Sequence, residues 1–206
     1  TICLKYLDNL NAISHFQIAR FDRVTCYGSP KLYGRQKEQD LFIKIMKRFF
    51  NNANKQLLFV TGPTGVGKTA FVTKTFKKIV NTFHTRANTV FIQTKFQQGK
   101  QSKPHYVIRE ILTKLIHMIL SEGENNLSYW KNKLNSSIGP NGYILSTMIP
   151  EIELIIGPQK PFPIDSSIAS KNRFTYTILT FFRVLSGANY YIVLFLDDLQ
   201  WIDTES

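Results

Sequence analysis

A glycine-rich run that ends in a lysine and a threonine, GPTGVGKT, occupies residues 62–69. It fits the pattern G-x-x-x-x-G-K-[ST], in which backbone amides surround phosphate groups. Glycine permits the backbone angles that point successive amides inward, and a following helix adds its positive amino-terminal end. Lys68 is expected to contact the β- and γ-phosphates of a nucleotide, and the Thr69 hydroxyl to bind Mg²⁺. The full set of expected nucleotide-binding residues in this loop is Gly62, Pro63, Thr64, Gly65, Val66, Gly67, Lys68 and Thr69.

The segments on either side of this loop have the patterns of a strand and a helix. Residues 56–61 form a short apolar run that indicates a buried strand. After the loop, apolar residues recur at helical spacing at Phe71, Val72, Phe76, Ile79, Val80 and Phe83. A strand, a glycine loop and a helix are the arrangement typical of P-loop nucleoside triphosphatases. We therefore prefer this interpretation to a surface turn with an incidental lysine.

Two aspartates directly follow residues 190–196, the most continuous apolar run outside the predicted helices. An apolar run without alternation indicates a strand covered on both faces, as in a parallel sheet. Ligands of such sheets bind at the carboxyl ends of the strands. Asp197 is therefore predicted to bind Mg²⁺ together with Thr69, and Asp198 to orient or deprotonate an attacking water. By contrast, Asp203 is predicted to cap a helix.

The charge of the chain points to a polyanionic ligand. The formal net charge is +12, and no acidic residue lies between Asp40 and Glu110, whereas thirteen lysines and arginines fall within residues 41–109. Such a segment attracts polyanions of any kind. Association with nucleic acid is therefore an alternative. It is the less favoured one, because the basic stretch around Phe76 fits the solvated face of a helix whose phenylalanine faces the core.

Composition excludes several other classes of protein. Cys3 and Cys26 are the only cysteines, which indicates a reducing compartment and no disulfide framework. The four histidines have no metal-ligand spacing, and no apolar run approaches the roughly 20 residues of a membrane-spanning helix. No secretory signal is visible, so a cytoplasmic location is expected. Because the chain begins at Thr1 and ends eight residues after Asp198, we expect it to be a piece of a longer protein.

The predicted fold is a three-layer α/β P-loop NTPase with a mostly parallel sheet. It is truncated after the Walker B strand, which is the apolar strand that ends in Asp197 and Asp198. Residues 1–31 are predicted to be a linker or lead-in from an upstream domain, and residues 32–206 the P-loop NTPase core. The 128 positions between Thr69 and Asp197 leave room for a strand and helix between the two halves of the site, which favours an intervening strand over adjacent ones. The remaining elements are predicted from periodicity and turn residues. The predicted helices are one with Leu41, Ile45, Met46 and Phe49 on one face, one at 104–120, one around Trp130, and one containing Phe174, Ile178, Phe181, Phe182 and Leu185. A strand is predicted at 89–93, a turn at 139–142 and an ordered loop at 157–163.

Five motifs together resemble an AAA-type ATPase family related to the origin-recognition-complex ATPases. They are KLYGR at 31–35, the loop at 62–69, PEIELIIG at 150–157, NRF at 172–174 and FLDDLQW at 195–201. The resemblance covers roughly residues 20–206 and extends to signal-transduction ATPases with numerous domains. Related modules lie in very large signalling proteins, between a protein-kinase-like domain and a sensor histidine kinase region.

The resemblance implies a function as well as a fold. It implies an ATP- and Mg²⁺-binding module that hydrolyses ATP slowly as a conformational switch, with kinase and sensor domains of a longer chain as partners. Tyr33 and Arg35 resemble residues that lie by the adenine or the phosphates. Where relatives often carry an aspartate after Lys95 and Phe96, this chain has Gln97. A DNA-associated AAA ATPase, a small-molecule kinase and a nucleotide-binding scaffold without turnover remain alternatives.

Overall fold

A computed structural model of the chain describes residues 3–6, 34–52, 55–83, 89–98, 105–163, 168–188 and 190–203. The elements within these ranges are β1 Cys3–Tyr6, α1 Gln36–Asn52, β2 Leu58–Thr61, α2 Lys68–Phe83, β3 Thr89–Lys95, α3 Tyr106–Leu120, α4 Glu124–Ile138, α5 Gly142–Met148, α6 Glu153–Ile156, α7 Ile168–Gly187 and β4 Tyr191–Asp197. Short 3₁₀ turns occupy Gly139–Asn141, Pro150–Ile152 and Leu199–Trp201. Among the helices described here, none is both long and apolar enough to cross a membrane.

A parallel strand pair, β3 and β4, organises the molecule. The two strands pair along their whole length, and the last residue of β3, Lys95, lies opposite Asp197. Helices cover both faces of this pair. On one face Phe76 of α2 stacks on Phe91 with ring centroids 4.5 Å apart, and on the other Thr94 donates a hydrogen bond to Glu110 of α3 at 2.8 Å. A parallel pair covered on both faces agrees with the predicted α/β class.

Aromatic packing fixes the helix that follows the phosphate loop. Phe71 and Phe76 of α2 are completely buried. Phe71 meets Phe42 of α1 edge-on at 5.9 Å, and the Phe76–Phe91 stack continues to Phe195 of β4 at 6.4 Å. The amino end of α2 is thus held against both α1 and the parallel pair, which fixes the position of the loop before it.

The strand before the loop, β2, pairs differently from the prediction. It lies antiparallel to β1, with Cys3 opposite Thr61. β1 falls in the segment expected to be a lead-in, and the rest of residues 1–31 lies outside the described part of the chain. Among the described strands, β2 is not hydrogen-bonded to β4. A cavity of about 800 Å³, lined by both strands and by α1, lies between them.

Most of the predicted helices are present. The structure differs from the prediction in which residue of α1 is buried and in the form of the turn before α5. The helices predicted at 104–120, around Trp130 and before the acidic strand correspond to α3, α4 and α7, and residues 157–163 form the expected loop. In α1, however, Leu41 is 44% exposed and Phe42 takes its place in the core. The prediction for Leu41 was therefore wrong, because the helix packs on α2 through Phe42. The turn predicted at 139–142 is a 3₁₀ turn leading directly into α5.

Candidate nucleotide-binding site

The phosphate loop joins β2 to α2 as predicted, and its shape depends on two glycines. β2 ends at Thr61 and α2 begins at Lys68. Gly65 and Gly67 have φ angles of 77° and 86°, in the left-handed region that other residues rarely adopt. A side chain at Gly65 would meet no atom within 4 Å, so the backbone angle, and not lack of space, requires glycine there.

Lys68 lies across the mouth of this loop. Its Nζ donates hydrogen bonds to the carbonyl oxygens of Gly62 and Pro63, at 2.9 and 3.0 Å. These two bonds join the first turn of α2 to the beginning of the loop. Phosphate oxygens make stronger, charge-assisted bonds with an ammonium group than carbonyl oxygens do. The side chain is therefore placed to exchange its carbonyl partners for phosphates.

Arg35 reaches the loop from the residue before α1. It has a φ of 59°, and its Nη2 donates a hydrogen bond to the carbonyl oxygen of Val66 at 2.5 Å. The structure thus places Arg35 beside the phosphate loop, where its contact is with the loop backbone. Tyr33, the other residue expected near the nucleotide from this motif, lies outside the described residues.

Replacing Arg35 tests whether this contact shapes the loop. Arg35→Ala is expected to lower the free energy of unfolding by about 1–2 kcal/mol, because a bond from a charged donor is lost. Affinity for an ATP analogue is expected to fall by about three- to tenfold, because the loop loses a constraint beside Gly67. Urea unfolding and calorimetric titration measure the two effects. Lys37→Ala, which changes an exposed residue in the first turn of α1, serves as the control, and equal affinities in the two variants would exclude the role.

The two halves of the predicted site meet directly. The Thr69 hydroxyl donates a hydrogen bond to Asp197 Oδ2 at 2.7 Å, although the residues are 128 positions apart in the chain. Asp197 is buried, and its Oδ1 accepts a hydrogen bond from the backbone N–H of Asp198 at 3.1 Å. This contact places the acidic strand end against the phosphate loop.

The donor set fits a magnesium ion. Mg²⁺ prefers hard oxygen ligands and is usually bound through one or two protein groups, with phosphates and waters completing its shell. Thr69 and Asp197 present a hydroxyl and a carboxylate oxygen side by side. In the described part of the chain, no cluster of three or more His, Cys, Asp or Glu side chains forms a separate metal site.

Asp198 is held in a left-handed conformation, with φ 55° and ψ 48°. Such angles are uncommon outside glycine and are frequent at functional sites. Its Oδ2 lies 2.8 Å from Lys95 Nζ, and its Oδ1 accepts a hydrogen bond from Gln200 Nε2 at 3.3 Å. The bond from Lys95 is the main reason that the pKa of Asp198 is lowered, and the same bond raises the pKa of Lys95.

Lys95 is a site residue that the sequence analysis did not predict as one. It appeared there only as part of a family motif. The available signal was its position at the carboxyl end of a strand, the edge where ligands of parallel sheets bind. What sequence could not show was the register that sets Lys95 opposite Asp197. Gln97, where relatives often have an aspartate, is exposed, and its backbone N–H donates to the Tyr106 hydroxyl at 2.7 Å.

A glycine loop between a strand and a helix, facing the acidic end of a parallel strand, defines the class of P-loop nucleoside triphosphatases. Within that class, the chain belongs to the AAA ATPase domain family, which matches residues 31–206. The expected resemblance is therefore confirmed.

Two curated relatives are long proteins named as histidine kinases. The chain is similar to hybrid signal transduction histidine kinase G of Dictyostelium discoideum, with 34% identity over 94% of this chain and 5% of the relative. It is also similar to histidine protein kinase 1 of Candida albicans, with 23% identity over 80% of this chain and 7% of the relative. The chain thus spans only a small part of the length of these relatives. No solved structure matches it.

Proposed function

We propose that this chain binds ATP with Mg²⁺ and hydrolyses it slowly, as a conformational switch within a multidomain signalling protein. The observation that carries the proposal is the contact of Thr69 with Asp197, because it joins a phosphate loop and an acidic strand end in one pocket. Membership of the AAA ATPase family supports ATP as the nucleotide. The fold behind the proposal is a three-layer P-loop core whose domain occupies residues 32–206.

Each residue of the site would have a distinct role in phosphoryl transfer. The loop amides of residues 62–69 and the Lys68 ammonium would hold the phosphates and offset the charge that develops on them. Thr69 and Asp197 would hold Mg²⁺, which neutralises phosphate charge when bound. Asp198 would orient a water for in-line attack. A bond would form between the water oxygen and the γ-phosphorus as the bond between the γ-phosphorus and the β–γ bridging oxygen breaks. ADP would leave with the electron pair of the broken bond. The proton of the water would pass to the Asp198 carboxylate or to the phosphate.

The setting of the switch is proposed from the relatives. Both are named as histidine kinases, and we propose kinase and sensor domains of a longer, cytoplasmic protein as the partners of this module. Contacts to the γ-phosphate exist with ATP and are lost with ADP, so hydrolysis changes what the module holds in place.

A second candidate function is a nucleotide-binding scaffold without turnover. The observation that favours it is the ion pair of Asp198 with Lys95 at 2.8 Å. A carboxylate neutralised in this way is a weaker partner for an attacking water. The two candidates agree on binding and differ only in the rate of phosphate release.

Calorimetric titration of the 206-residue chain tests the binding on which both depend. We expect a one-to-one complex with a non-hydrolysable ATP analogue in Mg²⁺, and an affinity about tenfold lower when the metal is removed with a chelator, because phosphate charge then lacks its counterion. A guanine nucleotide analogue measures base preference and is expected to bind more weakly. Absence of any binding in Mg²⁺ would overturn the proposal.

A further inference from the structure

Lys95 is accessible and carries a charge at the edge of the candidate site, where it pairs with Asp198. Its side chain is 56% exposed, while that of its partner Asp198 is 26% exposed. An ammonium group with this exposure can leave a carboxylate for another anion at a small cost in free energy, because exposed ion pairs are weak. The pair is therefore suited to exchange.

The backbone of Lys95, in contrast, is firmly held. Its carbonyl oxygen accepts a hydrogen bond from the Tyr106 hydroxyl at 3.0 Å. The next residue, Phe96, donates its backbone N–H to the carbonyl oxygen of Asp197 at 3.0 Å, which extends the β3–β4 pairing past the end of the strand. A fixed backbone with a long, half-exposed side chain lets the ammonium group move within a small volume beside the acidic motif.

The charges around Lys95 favour a phosphate as the competing anion. The charged groups facing this point are Asp197, Asp198 and Lys68, and both oxygens of Asp197 already accept hydrogen bonds. In the proposed reaction, the attacking water would lie between Asp198 and the terminal phosphate, within about 2.6–3.2 Å of the carboxylate. A cation bonded to that carboxylate would then lie about one water diameter from the terminal phosphate.

We propose that Lys95 distinguishes a nucleoside triphosphate from a diphosphate by binding the terminal phosphate. With a diphosphate bound, Lys95 remains on Asp198. With a triphosphate, the ammonium group moves to the terminal phosphate and leaves the Asp198 carboxylate available to the water. This inference rests on the proposed function and adds a specificity-determining residue outside the phosphate loop and the acidic motif.

Paired titrations of the 206-residue chain in Mg²⁺ test this role. Lys95→Met is expected to lower affinity for the imido analogue of ATP about tenfold, since a charge-assisted bond to the third phosphate is lost. Affinity for ADP is expected to stay within about twofold. Lys114→Met is the matched control, because Lys114 forms a similarly exposed ion pair with Glu110 at 2.6 Å. Lys95→Arg is expected to retain most of the preference for the triphosphate.

A double-mutant cycle with Asp198→Asn separates this role from simple charge repulsion. If Lys95 must leave Asp198 to reach the phosphate, Asp198→Asn strengthens triphosphate binding by several fold in the wild-type background and not in Lys95→Met. An equal gain in both backgrounds would show repulsion only and would overturn the inference. An unchanged ratio of the two affinities in a folded Lys95→Met variant would also overturn it. If the unsubstituted chain binds neither nucleotide, it is the proposed function itself that fails.

Discussion

Lys68→Ala is expected to reduce affinity for the Mg²⁺ complex of ATP by about 100-fold or more, which corresponds to about 2.7 kcal/mol. The variant lacks the ammonium group that would contact the β- and γ-phosphates. The hydrogen bonds of this group to Gly62 and Pro63 belong to the unbound loop and would be exchanged for phosphate, so their loss does not add to the loss of affinity. Charge-assisted bonds to phosphate are among the stronger polar contacts that a protein makes. Calorimetric titration measures the loss.

The control for Lys68→Ala must change net charge without touching the loop. Lys78→Ala meets this requirement, because Lys78 is an exposed residue of the same helix, α2. It is expected to leave affinity within about twofold, since a single exposed charge outside the site contributes little. Thermal unfolding of both variants checks that they fold. Affinity like that of the unsubstituted chain in a folded Lys68→Ala variant would remove the phosphate loop from the proposed site.

Asp198→Asn is expected to separate binding from hydrolysis. The asparagine keeps the size of the side chain and can still accept a hydrogen bond from Gln200, but it cannot take a proton from water. Losing a general base typically lowers a rate by about 100- to 10,000-fold. We therefore expect nucleotide binding at least as strong as in the unsubstituted chain, and a loss of phosphate release of at least about 100-fold.

Phosphate release is best measured on the full-length protein, with the Lys68→Ala variant as the blank for any other ATP-consuming site. Glu124→Gln, an exposed carboxylate at the start of α4, controls for the loss of one negative charge. Normal turnover in Asp198→Asn would exclude Asp198 from the reaction. Undetectable turnover in the unsubstituted protein, together with nucleotide binding, would favour the scaffold instead.

The elements that sequence predicted well are those with long apolar patterns. α2 and α3 carry enough regularly spaced apolar residues to define both their type and their buried side, and the continuous apolar run of β4 indicated a strand covered on both faces. The error at Leu41 has a simple reason. Leu41 and Phe42 are neighbours on α1, and the edge-on contact of Phe42 with Phe71 decides which of them is buried. That contact depends on the position of α2, and the apolar pattern of α1 carries no information about it.

The four residues of β1 show a second limit. A short strand has no sustained alternation, and its pairing partner β2 lies more than 50 positions away in the chain. The same reasoning applies to Arg35, whose bond to Val66 spans 31 positions. In both cases the structure is decided by contacts between distant segments.

The amino-acid sequence by itself determined which chemistry we propose for this protein. The glycines, the lysine and the threonine at residues 62–69 predict a phosphate loop, because backbone angles and neighbouring donors are local properties of the chain. Only the tertiary structure decided which side chains of the site touch one another, and it added Lys95 to them. The contact of Thr69 with Asp197 and the ion pair of Lys95 with Asp198 depend on the pairing of β3 with β4 and on the packing of α2 against them. Strand register and helix packing are set by the whole core, so they bring together residues that no local pattern relates.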